Sequence, residues 1–408
     1  TKDGHTVTGV EITHAGRTRR IASRVLVDAT EWGDVIPLTG ARYRVGNCLN
    51  DAIDPKRHVQ ANTWTAVVKQ YPQGVPAELL LREKPPGYTD KVQAAFSKSL
   101  VAGEKIDLKA KPWNWATFIG YRGMPDSARL ADNTVITRTH LNYNNDVHST
   151  IAEIEDPAAR LAMNRVMQLK TLHLLYYIQN VLGKSDWSVA NDEGYDTPSH
   201  LAAVDAWITE QPELAPFRPV LVNFSIIPYT RESRRIIGLH TLRPAEIERV
   251  KAKPVQFRHT VALGDYAIDL HGSMRKEWLE TDLDLDSDIP HKFGERGLGP
   301  FAIPFESLIP ETIDGFLPAE KNFSQSRMVN GATRLQPHTL NIGQAVGTIA
   351  ALAAKENLAP RAVDPVKVQR LLIEAGDTLA IDPIKARHGT GAWRELQMEV
   401  LKNGVEVR

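Results

Sequence analysis

Two histidines, two arginines and a group of asparagines are the residues of this sequence that offer chemistry. His271 closes Asp269-Leu270-His271-Gly272 at the end of an alternating segment, 261–270, where an imidazole reads as a base or as a hydrogen-bond partner for substrate. His338 stands in Arg334-Leu335-Gln336-Pro337-His338-Thr339, directly before a small-residue helix expected over 341–354. Each histidine reads equally as a structural hydrogen-bonder. Arg234 and Arg235 lie in Arg231-Glu232-Ser233-Arg234-Arg235 and suit an acidic substrate or an anionic cofactor group. A salt bridge to Glu232 or Asp265 is the plainer alternative. Trp113, Trp115, Tyr121, Asn142, Asn144, Asn145 and His148 combine flat apolar walls with polar anchors, the chemistry of a small-molecule pocket, with Asn142 and Asn145 as substrate candidates. Aromatic residues at strand spacing also build core.

Elements must place these side chains. In the helix expected over 341–354, Gly343 and Gly347 stand four apart and Ala350, Ala351 and Ala354 continue a thin face. Its N–H groups and positive dipole end favour an electron-rich group, so a cofactor seated near Arg334, Pro337, Asn341 and Gln344 is one reading and close helix–sheet packing the other. Residues 24–30 form an apolar run that suits a strand covered on both faces in a parallel sheet. It ends in Asp28-Ala29-Thr30, at the position where ligands of open α/β sheets sit. Residues 6–13 and 18–22 predict a polar hairpin about His14-Ala15-Gly16-Arg17. Asp156-Pro157 opens a helix over 158–182 that Gly183 closes, with Leu161, Val166, Leu169, Leu172, Leu175 and Tyr176 at helical spacing. Residues 220–227 read as a strand, and Asp364 opens a last helix that Gly376 ends.

The whole chain narrows the choice further. Its 408 residues exceed an ordinary single domain, and 49 basic residues balance 49 acidic ones, which excludes nucleic acid and anionic membrane as main partners. With 42% hydrophobic and 24% charged residues it has the composition of a globular protein. Cys48, the single cysteine, excludes an internal disulfide framework and multi-cysteine metal sites, and fits a reducing, cytoplasmic compartment. It also leaves open a covalent cofactor tether. There is no Gly-x-Gly-x-x-Gly, no Walker loop and no Gly-x-Ser-x-Gly elbow; Gly297-Leu298-Gly299 lacks a third glycine. Asp282, Asp284, Asp286 and Asp288 resemble a calcium loop but lack its glycine and its final glutamate, and read as a solvated acidic loop, so no metal is expected.

Residues 25–41 (Val-Leu-Val-Asp-Ala-Thr-Glu-Trp-Gly-Asp-Val-Ile-Pro-Leu-Thr-Gly-Ala), 231–235, 264–269 (Gly-Asp-Tyr-Ala-Ile-Asp) and 341–348 (Asn-Ile-Gly-Gln-Ala-Val-Gly-Thr) follow one another in that order. Together they resemble the FAD-dependent oxidoreductase family of the glutathione-reductase flavin fold. The resemblance is strong over 25–46 and 300–375 and thin over 48–220. It implies FAD as cofactor, with Asp28, Ala29, Thr30 and Asp34 where the first strand group meets it. It also implies that Arg334, Pro337, Asn341, Gly343 and Gln344 bring helix N–H groups near the flavin. The strand ending at His271 and the stretch holding His338 would face the ring. The family grips its pyrophosphate with an N-terminal glycine fingerprint that this sequence lacks, and Ala319-Glu320-Lys321 departs from the usual glycine and following Arg or Asp.

The expectation is an α/β protein whose doubly wound FAD-binding domain is discontinuous (1–47 and 261–360) and incomplete at its N-terminus. A mainly β substrate domain with a helical insertion would occupy 48–260, and a helical segment 361–408. Because the chain opens at Thr1 inside an alternating pattern, a companion flavin-binding segment or subunit, cleaved from a precursor or separately encoded, is expected to supply the fingerprint. The expected activity is hydride removal from a small organic substrate by a dehydrogenase or oxidase. A carbohydrate-acting lyase or binding protein on the same fold, and a structural subunit completing another chain's flavin site, are the alternatives.

Overall fold

A computed structural model describes residues 1–109, 111–125, 136–142, 144–247, 255–272, 275–284, 300–381 and 391–404. The chain divides into two compact units: residues 1–60, 150–155 and 230–408 form the first, and 61–149 with 156–229 the second. In chain order the strands include β1 (Gly9–His14), β2 (Arg17–Ala22), β3 (Leu26–Asp28), β4 (Tyr43–Val45), β5 (Cys48–Leu49), β6 (Ala66–Gln70), β7 (Ile136–Leu141), β8 (Trp187–Val189), β9 (Arg235–Ile236), β10 (Thr260–Gly264), β11 (Phe301–Pro304) and β12 (Phe316–Pro318). The helices include α1 (Asp90–Ser97), α2 (Pro157–Asn180), α3 (Arg327–Thr333), α4 (Gln336–Glu356), α5 (Pro365–Ala375) and α6 (Gly391–Lys402).

In the first unit β3 pairs in parallel with β12, Leu26 opposite Phe316 and Asp28 opposite Pro318. The parallel pairing fits the apolar run read from 24–30, but the expected cover on both faces does not hold, because Val27 keeps 38% of its surface exposed. Among the described residues β12 is the strand partner of β3. The antiparallel pair β10–β11 and the three-stranded set β9-β4-β5 complete the strands that matter here. Helix α4 packs on β10, β3 and β12. It buries His338, Ile342, Ala345, Val346, Ile349 and Ala353, spaced three or four apart as one helical face requires. The hairpin β1–β2 turns at Ala15 and Gly16, both at positive φ, as a two-residue turn between right-twisted strands needs.

Two of the expected boundaries shift: β10 ends at Gly264 instead of running to 270, and α4 starts before 341. Helix α4 begins at Gln336, with Pro337 in its first turn, so Asn341 and Gly343 lie inside the helix instead of at its start. Helix α5 is capped by the Asp364 side chain and ended by Gly376 at φ 108, as read, but α6 follows it.

The second unit holds an antiparallel sheet in which β6 lies between β7 and β8. Helix α2 starts where Asp156 accepts the Ala158 N–H. Its Leu172 and Leu175 are buried in the unit's core, while Leu161 and Val166, expected in that core, stand about half exposed. Residues 218–221 form a short helical turn in place of the strand expected over 220–227, because Pro219 removes a ladder donor and Ile226 and Ile227 face solvent. Asp286, Asp288 and Gly297–Gly299 lie outside the described residues.

Candidate functional site

The carboxyl ends of the parallel pair β3–β12 carry a cluster of polar side chains. Asp28, 1% exposed, accepts the N–H groups of Thr30 (2.9 Å) and Val35 (3.1 Å). The Thr30 hydroxyl accepts the Asp34 N–H at 2.8 Å, and Asn322 donates to the Thr30 carbonyl at 2.9 Å. These bonds hold the 28–35 loop in one shape, with Ala29 exposed at its tip. Beside it, buried Lys321 is bound by Glu31 at 2.8 Å and Glu320 at 2.7 Å. Burial works to lower the Lys321 pKa, but the charges of Glu320 and Glu31 outweigh it and raise it. Burial, aided by the Glu31 charge, raises the Glu320 carboxyl in turn, with Lys321 opposing.

Helix α4 aims its N-terminus at these strand ends. Arg24, before β3, donates to the Ala354 carbonyl near the C-terminus of α4 at 2.6 Å, whereas a Cβ at Gly343 would stand 3.7 Å from the carbonyl of Ala319, just beyond β12. The helix therefore runs against the strand direction. No side chain caps its start, and Gln336 and Pro337 are exposed there, so a 21-residue helix presents its positive end to whatever occupies the strand termini.

Near the same helix start, His271 Nε2 lies 3.1 Å from Asp269 Oδ2. Arg334 donates to the Asp269 carboxylate at 3.3 Å and to its carbonyl at 3.2 Å. Burial acts to raise the Asp269 pKa, but the hydrogen bond and charge of His271, with Arg334 and Arg231, hold it below the usual value. Gly331 in α3 makes this approach possible, because a Cβ there would stand 2.9 Å from the Asp269 carbonyl. His338 is differently engaged. Its Nε2 accepts the Asp265 N–H at 3.0 Å, which places the proton on Nδ1, and burial lowers its pKa. Its lone pair is thus committed to the backbone, and the ring packs edge-on to Phe301.

Arg234 is a clamp on the 32–34 loop. It bonds Glu155 at 2.9 Å, Asp34 at 3.0 Å, and the carbonyls of Trp32 and Ile154. Arg235 pairs with Glu280 through two 3.0 Å bonds, and Glu232 pairs with Arg327 at 2.8 Å. The expected partners, Glu232 and Asp265, are thus replaced by Asp34, Glu155 and Glu280. Asp282 pairs with Arg44 and stays exposed as expected, whereas buried Asp284 accepts the N–H groups of Glu280 and Met328 and is built into the fold instead of standing in a solvated loop. Asn341 and Gln344 are exposed on α4, and half-buried Cys48 packs beside the Trp32–Ile36–Tyr43 cluster. In the second unit, Asn145 donates to the Trp64 carbonyl and to Thr171, and Asn142 is buried.

An uncapped helix start facing the ends of two parallel strands, with an exposed Ala29 and a rigid acidic loop, fits an electron-rich ring and its sugar. The family model described as FAD dependent oxidoreductase matches residues 1–372. The chain belongs to the FAD-dependent oxidoreductase family. FAD is accordingly its cofactor, and an oxidoreductase its class. No curated protein and no solved structure matches it significantly. Among the described residues no helix is long and apolar enough to cross a membrane.

Sequence reading singled out His271 but passed over Asp269, the residue it contacts. The two residues stand two apart in the irregular stretch after β10, where strand periodicity gives no shared face to read. Gly331, Arg327 and Glu280 carried no local signal.

Proposed function

We propose that this FAD-dependent oxidoreductase removes a hydride from a C–H bond of a small organic substrate, with His271 taking the accompanying proton. The Asp269–His271 contact at 3.1 Å carries the reading. Asp269, held ionised by Arg334 and His271, orients the ring and stabilises the imidazolium that proton uptake creates. Bound FAD supplies the two-electron acceptor. The residues that would hold it are Asp28, Ala29, Thr30 and Asp34 on the strand-end loop, with Arg334, Pro337, Asn341, Gly343 and Gln344 on and before α4. The α4 dipole then favours negative charge at its N-terminus. Arg234 supports this loop through Asp34.

We further infer a companion flavin-binding segment or subunit carrying the glycine fingerprint. Three features of the first unit favour it: β3, whose Val27 is exposed and whose strand partner among the described residues is β12, the exposed Leu340, Gly347 and Ala351 on α4, and a depression of about 420 Å³ along that helix. Unpaired strand edges and thin helix faces are places where another βαβ element adds on.

Anaerobic mixing of the flavin-loaded protein with candidate substrates tests the chemistry. His271→Ala should slow flavin bleaching about 10²–10⁴-fold while leaving the oxidised absorption bands intact. Bleaching at an unchanged rate would refute the role of His271. A mass spectrum of flavin-loaded protein showing one polypeptide without the fingerprint would refute the companion.

A further inference from the structure

The second unit contains a groove between α1 and α2 that the oxidoreductase chemistry does not use. We propose that it binds a small carboxylate with an apolar body and a neighbouring hydroxyl or amide donor.

The cavity measures about 490 Å³, the size that holds a ligand of one ring or a short chain. Its apolar walls come from Val92 and Phe96 on α1 and from Val166 and Leu169 on α2. Lys170 and His173 line it from the same face of α2, since 166, 169, 170 and 173 follow the spacing of one helical stripe. Val166, out of place as a core residue, is half exposed because it forms the rim.

Three polar groups select the ligand. Lys170 gives one donor to the Asp146 carbonyl, and an ammonium carries three. Burial lowers its pKa, partly offset by Asp146, so an anion entering the groove restores an interaction that the apolar walls deny. Asn144 donates through Nδ2 to Ser99 at 2.8 Å, while its Oδ1 is buried with no protein partner. A buried acceptor of this kind asks for an N–H or O–H from a ligand. His173 is set by the Pro86 carbonyl, 2.7 Å from its Nε2, and burial lowers its pKa, so it adds no second positive charge. One cation, one orphan acceptor and apolar walls thus specify an acid whose donor lies beside the carboxylate.

Calorimetric titration with 3-phenyllactate tests this, with 3-phenylpropionate lacking the hydroxyl and phenethylamine reversing the charge. Phenyllactate should bind, phenylpropionate several-fold more weakly, and phenethylamine not at all. Lys170→Met, which keeps the side-chain volume, should weaken phenyllactate at least tenfold, and Asn144→Ala should abolish its advantage over phenylpropionate. Ala95→Phe, which fills the groove, should abolish both while the circular dichroism stays unchanged. Equal binding of the amine, phenyllactate binding indifferent to Lys170→Met and Ala95→Phe, or no binding at millimolar concentration overturns the proposal. Because the readout is heat in the ground state, it stands or falls apart from flavin reduction.

Discussion

At the residue scale, the first unit is organised by buried ions that satisfy one another. Arg327 and Glu232 are fully buried, and Arg327 also bonds the carbonyls of His58 and Trp278. Replacing one member strands the other charge in a low-dielectric interior. Arg327→Met should therefore cost about 3–5 kcal/mol in urea denaturation, while Arg327→Met with Glu232→Leu should recover much of that loss. Asp284 gives a pH dependence of definite sign. Burial and the Glu280 charge push its carboxyl up to about 6 from the usual 3.8. The protonated form is therefore favoured on folding, and the stability it contributes is present below about pH 4 and lost as pH rises through about 6. The loss is about 3 kcal/mol across that window. Asp284→Asn should flatten the stability profile between pH 4 and 7; an unchanged slope assigns the titration to another group.

Element-scale behaviour turns on where glycine is needed. Gly347 on α4 has no atom within 4 Å of a notional Cβ, so Gly347→Ala should stabilise the isolated chain by about 0.5–1 kcal/mol through helix propensity. The same methyl roughens the face offered to the proposed companion segment, so weaker association is the outcome expected on that proposal. Gly315, immediately before β12, behaves oppositely: its φ is 68 and a Cβ would stand 2.3 Å from the Val7 carbonyl. Gly315→Ala should lower the thermal midpoint and loosen the β3–β12 pairing that shapes the 28–35 loop, which hydrogen exchange at Leu26 and Ala319 would show. The strands, caps and helix ends were legible in the sequence wherever local chemistry sets them, as at Asp156, Asp364 and Gly376. The start of α4 was misread by five residues because Pro337 admits both a loop and a first helical turn, and packing of His338 against Phe301 decides between them.

The molecule as a whole carries equal numbers of acidic and basic residues, 49 of each. Self-repulsion is therefore small near neutral pH, and solubility should pass through a minimum there and rise on either side. FAD should act as a stabilising ligand of the native state: at about a hundred times its Kd it adds about 2.7 kcal/mol. Thermal scans of the flavin-loaded protein should show a midpoint that climbs with FAD concentration, and no response to FAD would contradict specific binding.

The sequence by itself determined what neighbours along the chain can settle: the β1–β2 turn at Ala15-Gly16, the apolar run that became β3, the caps of α2 and α5, and the family through four ordered blocks. Tertiary structure alone decided which charges meet. Lys321 finds Glu31 across 290 positions, Arg234 finds Asp34 across 200, and Arg327 finds Glu232 across 95. Such pairs depend on which faces pack and how closely backbones approach, as Gly331 shows at Asp269. Composition and periodicity carry no record of that approach. His271 and His338, alike as sequence candidates, separate for the same reason: packing gives one a carboxylate partner and commits the other to a backbone N–H.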